Sequence, residues 1–320
     1  MPKISIIGAG NVGATCAYTL LKNNVADIAL IDIVEGLAKG KSLDMMQAGA
    51  IEGYYREIIG GTEYSLAEGS DIVIITAGLA RQPGMSRSDL LGKNAEILRS
   101  VLTNVMQVAP NAIILVVTNP ADAMTQLAHI VTGYDPSRVL GMSGVLDSAR
   151  FKYFISRELE APMANIEGMV IGAHGDSMVP VVSQARVEGT PLADLLSREK
   201  IDEIINKTKF GGAEIVSYLK TGSAFYAPGA AAAYMATAIV DDTGEVMPCS
   251  VMAQGQYGVK GIYIGLPVRL GQGGVEEIIE IPLLDNEIKA FNDSVAAAKS
   301  LLAELSELIV DPTDADKYSL

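Results

Sequence analysis

"KISIIGAGNVG", residues 3–13, places Gly8, Gly10 and Gly13 as G-x-G-x-x-G directly behind an apolar β-branched run. An amphipathic helical stretch, 11–23, follows at once. Each glycine has its own reason: one makes a tight turn, one lets the backbone approach a pyrophosphate, and one lets helix and strand pack closely. The helix start then points its unpaired N–H groups at the phosphates. Such glycines can also make a plain turn, so the context decides. The next apolar run, Ile28–Asp32, ends in a carboxylate 19 residues after Gly13. A carboxylate there accepts both ribose hydroxyls and repels a 2′-phosphate, which favours NAD over NADP. Gly8, Ala9, Gly10, Asn11, Val12, Gly13 and Asp32 are therefore the candidate cofactor contacts.

The same rhythm continues outward. Strand-like runs at Ile58–Thr62, Ile72–Thr76, Ile113–Thr118 and Arg138–Met142 alternate with helical patterns at 36–50, 88–108 and 121–132. Continuous apolar strands separated by helices predict a parallel sheet covered on both faces, and six of them predict the doubly wound Rossmann fold. The run at 58–62 carries the weakest pattern. Beyond residue 143 the alternation stops. A helix at 145–159 is followed by "IEGMVIGAHGDSMVPVVSQARVEG" (166–189), which reads as two or three strands with tight turns. Helical segments at 198–209, 211–220 and 227–240, strands near 246–253, 261–265 and 275–281, and a long helix at 285–309 complete an α+β half. The expected division is a dinucleotide-binding domain, 1–143, and a substrate or catalytic domain, 144–320.

Bulk properties exclude several functions. A net charge of −14 disfavours nucleic acid and anionic membranes as partners. No apolar run reaches the ~18 residues of a membrane span. The start of the chain shows no signal-peptide pattern. Cys16 and Cys249 are far apart and lie outside any Cys/His cluster, so no disulfide, no metal site and a cytoplasmic setting are expected.

Candidate chemistry falls on few residues. "VTNP" (117–120) ends a strand at the crevice edge, and Pro120 holds Asn119 extended, where its side chain can reach cofactor and substrate; it can equally be a turn-forming Asn-Pro. Of two histidines, His129 lies late in a helical pattern, where packing or the helix dipole explains it. His174 stands between Gly172 and Gly175 after an apolar strand, placed to accept a proton near neutral pH. Asp147 is a candidate to orient it. Arg150, three residues on, either pairs with Asp147 as an exposed helix pair or grips a substrate carboxylate, and the spacing leaves both open. "AGLARQPGMSR" (77–87) puts Arg81 and Arg87 on a loop of an acidic chain, a local positive charge suited to an anionic ligand.

Taken together, "GAGNVG", "LID", "TAG.AR..G..R", "VTNP", "LDSAR" and "G.HGD", in this order, resemble the lactate/malate dehydrogenase family over nearly the whole chain. The likeness is strongest to its lactate-dehydrogenase-like bacterial malate branch. The resemblance implies His174 as proton acceptor, Asp147 as its orienting carboxylate and Arg150 as the clamp on the substrate carboxylate. It implies Arg87 as the group polarising the substrate oxygen when the loop around 79–90 closes. It implies Asn94, Val117, Thr118 and Asn119 as cofactor contacts, with Asn119 also touching substrate. Arg81 matches the position that meets a second carboxylate, where lactate enzymes carry Gln. Ala173 and Ala224 depart from the lactate pattern in the same direction. A homo-oligomer, dimer or tetramer, is also implied. The expectation is reversible oxidation of malate with NAD. Oxidation of lactate or another 2-hydroxy acid is the alternative, and a non-catalytic dinucleotide-binding protein is a third reading that the presence of His174, Asp147 and Arg150 opposes.

Overall fold

A computed structural model of the protein describes residues 1–79 and 87–309. The first half runs β1 (Lys3–Ile7), α1 (Asn11–Lys22), β2 (Asp27–Ile31), α2 (Leu37–Glu52), β3 (Ile58–Gly61), β4 (Ile72–Ile75), α3 (Arg87–Val108), β5 (Ile113–Val116), α4 (Ala121–Thr132) and β6 (Val139–Gly141). Parallel pairing orders the strands β3-β2-β1-β4-β5-β6, the doubly wound arrangement. The sequences "IVII" of β4 and "IILV" of β5 are buried at every residue, as strands covered on both faces must be. β3 is the edge strand, with Ile59 about half exposed, which is why its sequence pattern is faint.

The second half begins with α5 (Gly144–Leu159) and continues through five two-residue strands. These are β7 (Ile166–Glu167), β8 (Val170–Ile171), β9 (Val179–Pro180), β10 (Arg186–Val187) and β11 (Thr190–Pro191). Then come α6 (Leu192–Leu195), α7 (Arg198–Leu219), α8 (Tyr226–Val240), β12 (Val246–Gln254), β13 (Lys260–Gly271), β14 (Gly274–Ile278) and α9 (Asp285–Ile309). One sequence expectation needs correction, and one point left open by the sequence is settled. The segments 198–209 and 211–220 form the single helix α7, because the Gly211–Gly212 step faces Phe154 and Arg150 of α5 at close range and is held helical by that contact. The late strands also build no separate large sheet. β12 pairs antiparallel with β6 at Ser250–Gly141, so the β12-β13-β14 meander lengthens the parallel sheet to nine strands among the described residues.

The halves meet in two further ways. The small residues of α8 bring it against α1 so closely that a Cβ on Gly229 would lie 2.7 Å from Thr15 Cβ. α5 bridges two apolar cores: Leu146 belongs to the large core around the sheet, and Phe151 and Ile155 belong to a smaller one with Ile166, Leu192 and Ile204. The residues between them on α5 therefore sit at a seam.

Candidate active site

The glycine turn lies at the carboxyl end of β1. Gly8 adopts φ +109°, and a Cβ there would lie 2.7 Å from Thr76 Oγ1. A Cβ on Gly13 would lie 1.9 Å from the Gly8 carbonyl oxygen, so only glycine lets α1 start this close to the strand. Gly10, the residue that caps α1, has nothing within 4 Å of where its Cβ would be; that side is open to an approaching ligand. α1 has no side-chain cap and no acidic residue in its first turn, which leaves its N–H groups facing the opening. Asp32 accepts the Ala9 N–H at 2.6 Å and the Val34 N–H at 2.9 Å, one on each oxygen, and each oxygen keeps capacity for a further donor. Next to it a depression of about 350 Å³ has a mixed lining that includes Ile33, Val34, Glu35, Lys39 and Thr62, with Ile33 almost fully exposed. An open glycine face, a free helix start, a carboxylate and a depression beside the exposed Ile33 fit a dinucleotide in this order.

Sequence spacing gave no sign of one further member. Lys41, on α2, donates to the Ala9 carbonyl at 2.7 Å. Ala9 is thus held through both of its peptide groups, its N–H by Asp32 and its carbonyl oxygen by Lys41. The far wall of the crevice is fixed by Thr118 and Asn94. Thr118 Oγ1 donates to the Ala77 carbonyl at 2.7 Å, and Val117 N–H donates to Ile75. Asn94 is buried; its Oδ1 accepts the Leu79 N–H at 2.8 Å and its Nδ2 donates to the Asn119 carbonyl at 2.8 Å. Its amide bonds to the protein's own backbone, so Asn94 sets the position of Leu79 and Asn119. Asn119 is exposed at this edge.

At the seam, Asp147 is 2% exposed and divides its two oxygens. Oδ2 meets His174 Nδ1 at 2.8 Å, and Oδ1 accepts from Arg150 Nη1 at 3.3 Å. This is a buried arrangement and no solvent-exposed helix pair. Burial alone would push the His174 imidazolium down, but the Asp147 charge and hydrogen bond, with Asp122 behind, outweigh burial and the nearby Arg150, so its pKa is raised above the ordinary 6.5. With Nδ1 turned to Asp147, Nε2 is the ring nitrogen left for chemistry. Arg150 is 16% exposed, its contact to Asp147 is long, and its Nε is buried without a protein partner. A guanidinium in this state retains donors for a carboxylate ligand. Arg81 lies outside the described residues; Arg87 is the first residue of α3, and its side chain lies outside them too.

His129 is a packing residue: it tilts against Tyr263 with ring centroids 5.7 Å apart, and burial lowers its pKa. Among the described residues no cluster of His, Cys, Asp or Glu could hold a metal ion, and no helix is long and apolar enough to cross a membrane. Cys16 and Cys249 are both buried, and burial raises the Cys16 thiol to about 12.

A nucleotide crevice opening beside a carboxylate-held histidine and an under-used arginine is the layout of a dinucleotide-dependent dehydrogenase. Family comparisons sharpen this. Residues 2–141 match the lactate/malate dehydrogenase NAD-binding domain, and residues 144–309 match the lactate/malate dehydrogenase alpha/beta C-terminal domain. The malate dehydrogenase of Rhodopirellula baltica is 50% identical over 97% of this chain and 99% of its own. That of Methanosarcina mazei is 49% identical over 95% and 99%. Among solved structures, the malate dehydrogenase of Picrophilus torridus superposes with a TM-score of 0.93 at 44% identity, covering 96% of this chain and 98% of that one. The lactate dehydrogenase of Cryptosporidium parvum, complexed with lactic acid and NAD, gives 0.92 at 41% identity over 95% and 98%. The chain belongs to the lactate/malate dehydrogenase family and is an NAD-dependent oxidoreductase.

Two glycine substitutions separate fold from cofactor binding. Gly13→Ala forces a Cβ onto the Gly8 carbonyl and is expected to cost about 1–3 kcal/mol in urea unfolding. Gly10→Ala is expected to melt with the unmodified protein yet bind NADH more weakly in a fluorescence titration. Equal NADH affinity in Gly10→Ala would remove that face from the cofactor site.

Proposed function

We propose that the protein catalyses reversible oxidation of (S)-malate to oxaloacetate, the malate step of the tricarboxylic acid cycle, with residues 1–143 holding NAD and residues 144–320 carrying the proton-transfer group. One observation carries the reading: a single buried carboxylate, Asp147, holds His174 by Nδ1 and lies against an arginine with spare donors. Gly8, Ala9, Gly10, Asn11, Val12 and Gly13 receive the pyrophosphate, Asp32 the ribose, and Val117, Thr118 and Asn119 line the nicotinamide end, with Asn94 bracing it. NAD in that crevice supplies the hydride acceptor.

Arg150 holds the substrate carboxylate next to C2 through paired hydrogen bonds. Neutral His174, its Nδ1 proton facing Asp147, takes the C2 hydroxyl proton at Nε2, and Asp147 stabilises the imidazolium that results. In the reverse direction the imidazolium returns that proton to the carbonyl oxygen, and Arg87 polarises the same oxygen. Asn119 orients substrate at the crevice edge. Arg81 pairs with the second carboxylate of malate, so a pyruvate methyl would leave it without a partner. The malate names of the sequence relatives support this substrate, and the lactate dehydrogenase among the structural neighbours keeps lactate as the second reading.

The raised pKa of His174 fixes the sign of the pH dependence. Oxaloacetate reduction, which needs the imidazolium, stays active above the ordinary 6.5 and falls as pH passes the raised value. Malate oxidation, which needs neutral imidazole, rises through the same range. Initial rates in both directions check this, and opposite slopes are expected. His174→Asn should keep NADH binding while kcat falls by roughly 10²- to 10⁴-fold; retained turnover would remove His174 from the mechanism.

Arg81→Gln should lower kcat/KM for oxaloacetate by about 100-fold and raise relative use of pyruvate. Steady-state NADH oxidation with both acids decides this, and unmodified protein preferring pyruvate would overturn the malate assignment.

The proposed assembly is a homo-oligomer in the cytoplasm, a tetramer with the dimer as the alternative. Exposed apolar side chains on α2 (Leu43, Met46, Ile51) and on α7 (Phe210, Val216) support self-association, and two buried thiols suit a reducing compartment. Light scattering coupled to gel filtration should give four times the chain mass of 33.7 kDa, and a monomer would reject it.

A further inference from the structure

The turn that presents His174 is gripped at three successive N–H groups by three different elements. Gly172 N–H donates to Gly265 of β13 at 2.8 Å, and Gly265 N–H returns the bond at 3.1 Å. Ala173 N–H donates to Ser294 Oγ of α9 at 2.8 Å. His174 N–H donates to Asp122 Oδ2 of α4 at 2.8 Å. Asp122 is itself buried, and its other oxygen lies 2.5 Å from Ser250 Oγ on β12. A carboxyl group bound to the main chain of the proton acceptor, where Asp147 binds its ring, has no place in the mechanism above.

We propose that Asp122 is a positioning residue for His174, fixing the main chain of the histidine by a hydrogen bond whose geometry, rather than charge, is what matters, with Ser250 locking the carboxyl in place. The proposal rests on His174 being the proton acceptor. Asp147 aims the ring from the α5 side, and Asp122 holds the Cα from which the ring hangs, so the two carboxyl groups divide the task. The neighbours favour a geometric role. Burial pushes the Asp122 carboxyl towards its uncharged form, against the pull of its hydrogen bonds to Ser250 and the His174 N–H. Among the described residues, the titratable groups facing the His174 ring from its packed neighbours are Asp147 and Arg150 on α5 and Asp122 on α4; whatever charge Asp122 keeps pulls the imidazolium pKa up, and Asp122→Asn removes that pull while leaving the hydrogen bond. Rotation of the turn would swing Nε2 away from the substrate, and a misplacement of about 1 Å costs on the order of 100-fold in rate.

The test uses the full-length protein saturated with NADH. Asp122→Ala is expected to lower kcat for oxaloacetate by roughly 10- to 100-fold per NADH site, with KM and NADH stoichiometry unchanged. Asp122→Asn keeps an acceptor for the His174 N–H and a donor for Ser250, and is expected to restore kcat to within a small factor. The chain has two histidines, so His129→Gln assigns the His174 ring resonances. These should shift in Asp122→Ala and return in Asp122→Asn. Wild-type kcat in Asp122→Ala, or Asp122→Asn as slow as Asp122→Ala, would overturn the proposal. If Asp122→Ala does not fold, Ser250→Ala takes its place: a several-fold lower kcat at unchanged KM supports the lock, and wild-type kcat refutes it. Should His174→Asn keep its turnover, the proton-acceptor reading itself fails, whatever the Asp122 variants do.

Discussion

Asp147 is a carboxylate almost sealed from water, and taking such a group out of water costs several kcal/mol unless hydrogen bonds and opposite charge replace the lost hydration. Here the replacement comes from His174 on one oxygen and Arg150 on the other. The same contact therefore settles the stability of the seam and the chemistry of the site. It fixes which ring nitrogen of His174 is free, it raises the proton affinity of that ring, and it leaves Arg150 only weakly engaged, with Nε unpaired. The packing of α5 and the bonds that hold the 172–174 turn keep these three groups in register. α5 carries two of them one helical turn apart, anchored by Leu146 in one core and Phe151 in the other.

The cofactor end and the chemical end are built on separate halves, yet the sheet runs through both. β12 adds to β6, and α8 lies directly on α1, so the glycine turn and the histidine turn are mounted on one continuous framework. α4 has a similar linking role. It is buried along most of its length, and two of its polar side chains satisfy a backbone N–H of the other half: Asp122 that of His174, and Gln126 that of Tyr263. Buried polar groups with specific partners of this kind cost more when misplaced than they gain when formed, which ties the two halves to a single arrangement.

Much of this was legible in the linear chain. The G-x-G-x-x-G turn, the β2 carboxylate and the unbroken apolar strands dictated the parallel sheet, because each is a local requirement that residue type alone meets. The edge strand β3 was faint because one face and one side of it lack cover, so its residues need not be uniformly apolar. The late strands were legible as strands but their place was not: nothing in "PCSVMA" states which sheet edge they will join. α7 was read as two pieces because Gly211–Gly212 breaks the pattern, and only the contact with Phe154 and Arg150 shows why the helix continues.

The sequence by itself determined the class of fold and the glycine turn of the NAD-binding half, and it singled out His174 over His129 as the candidate proton acceptor, since these follow from short-range spacing and from there being two histidines in all. Tertiary structure alone decided how the charges pair. Asp147 and Arg150 are three residues apart and could have formed an exposed helix pair; packing of α5 between two cores turned them inward and brought His174 to the same carboxylate. Lys41 on Ala9 and Asp122 on His174 join residues 32 and 52 positions apart. No local pattern encodes such contacts, because they exist only once the helices have been laid against the sheet.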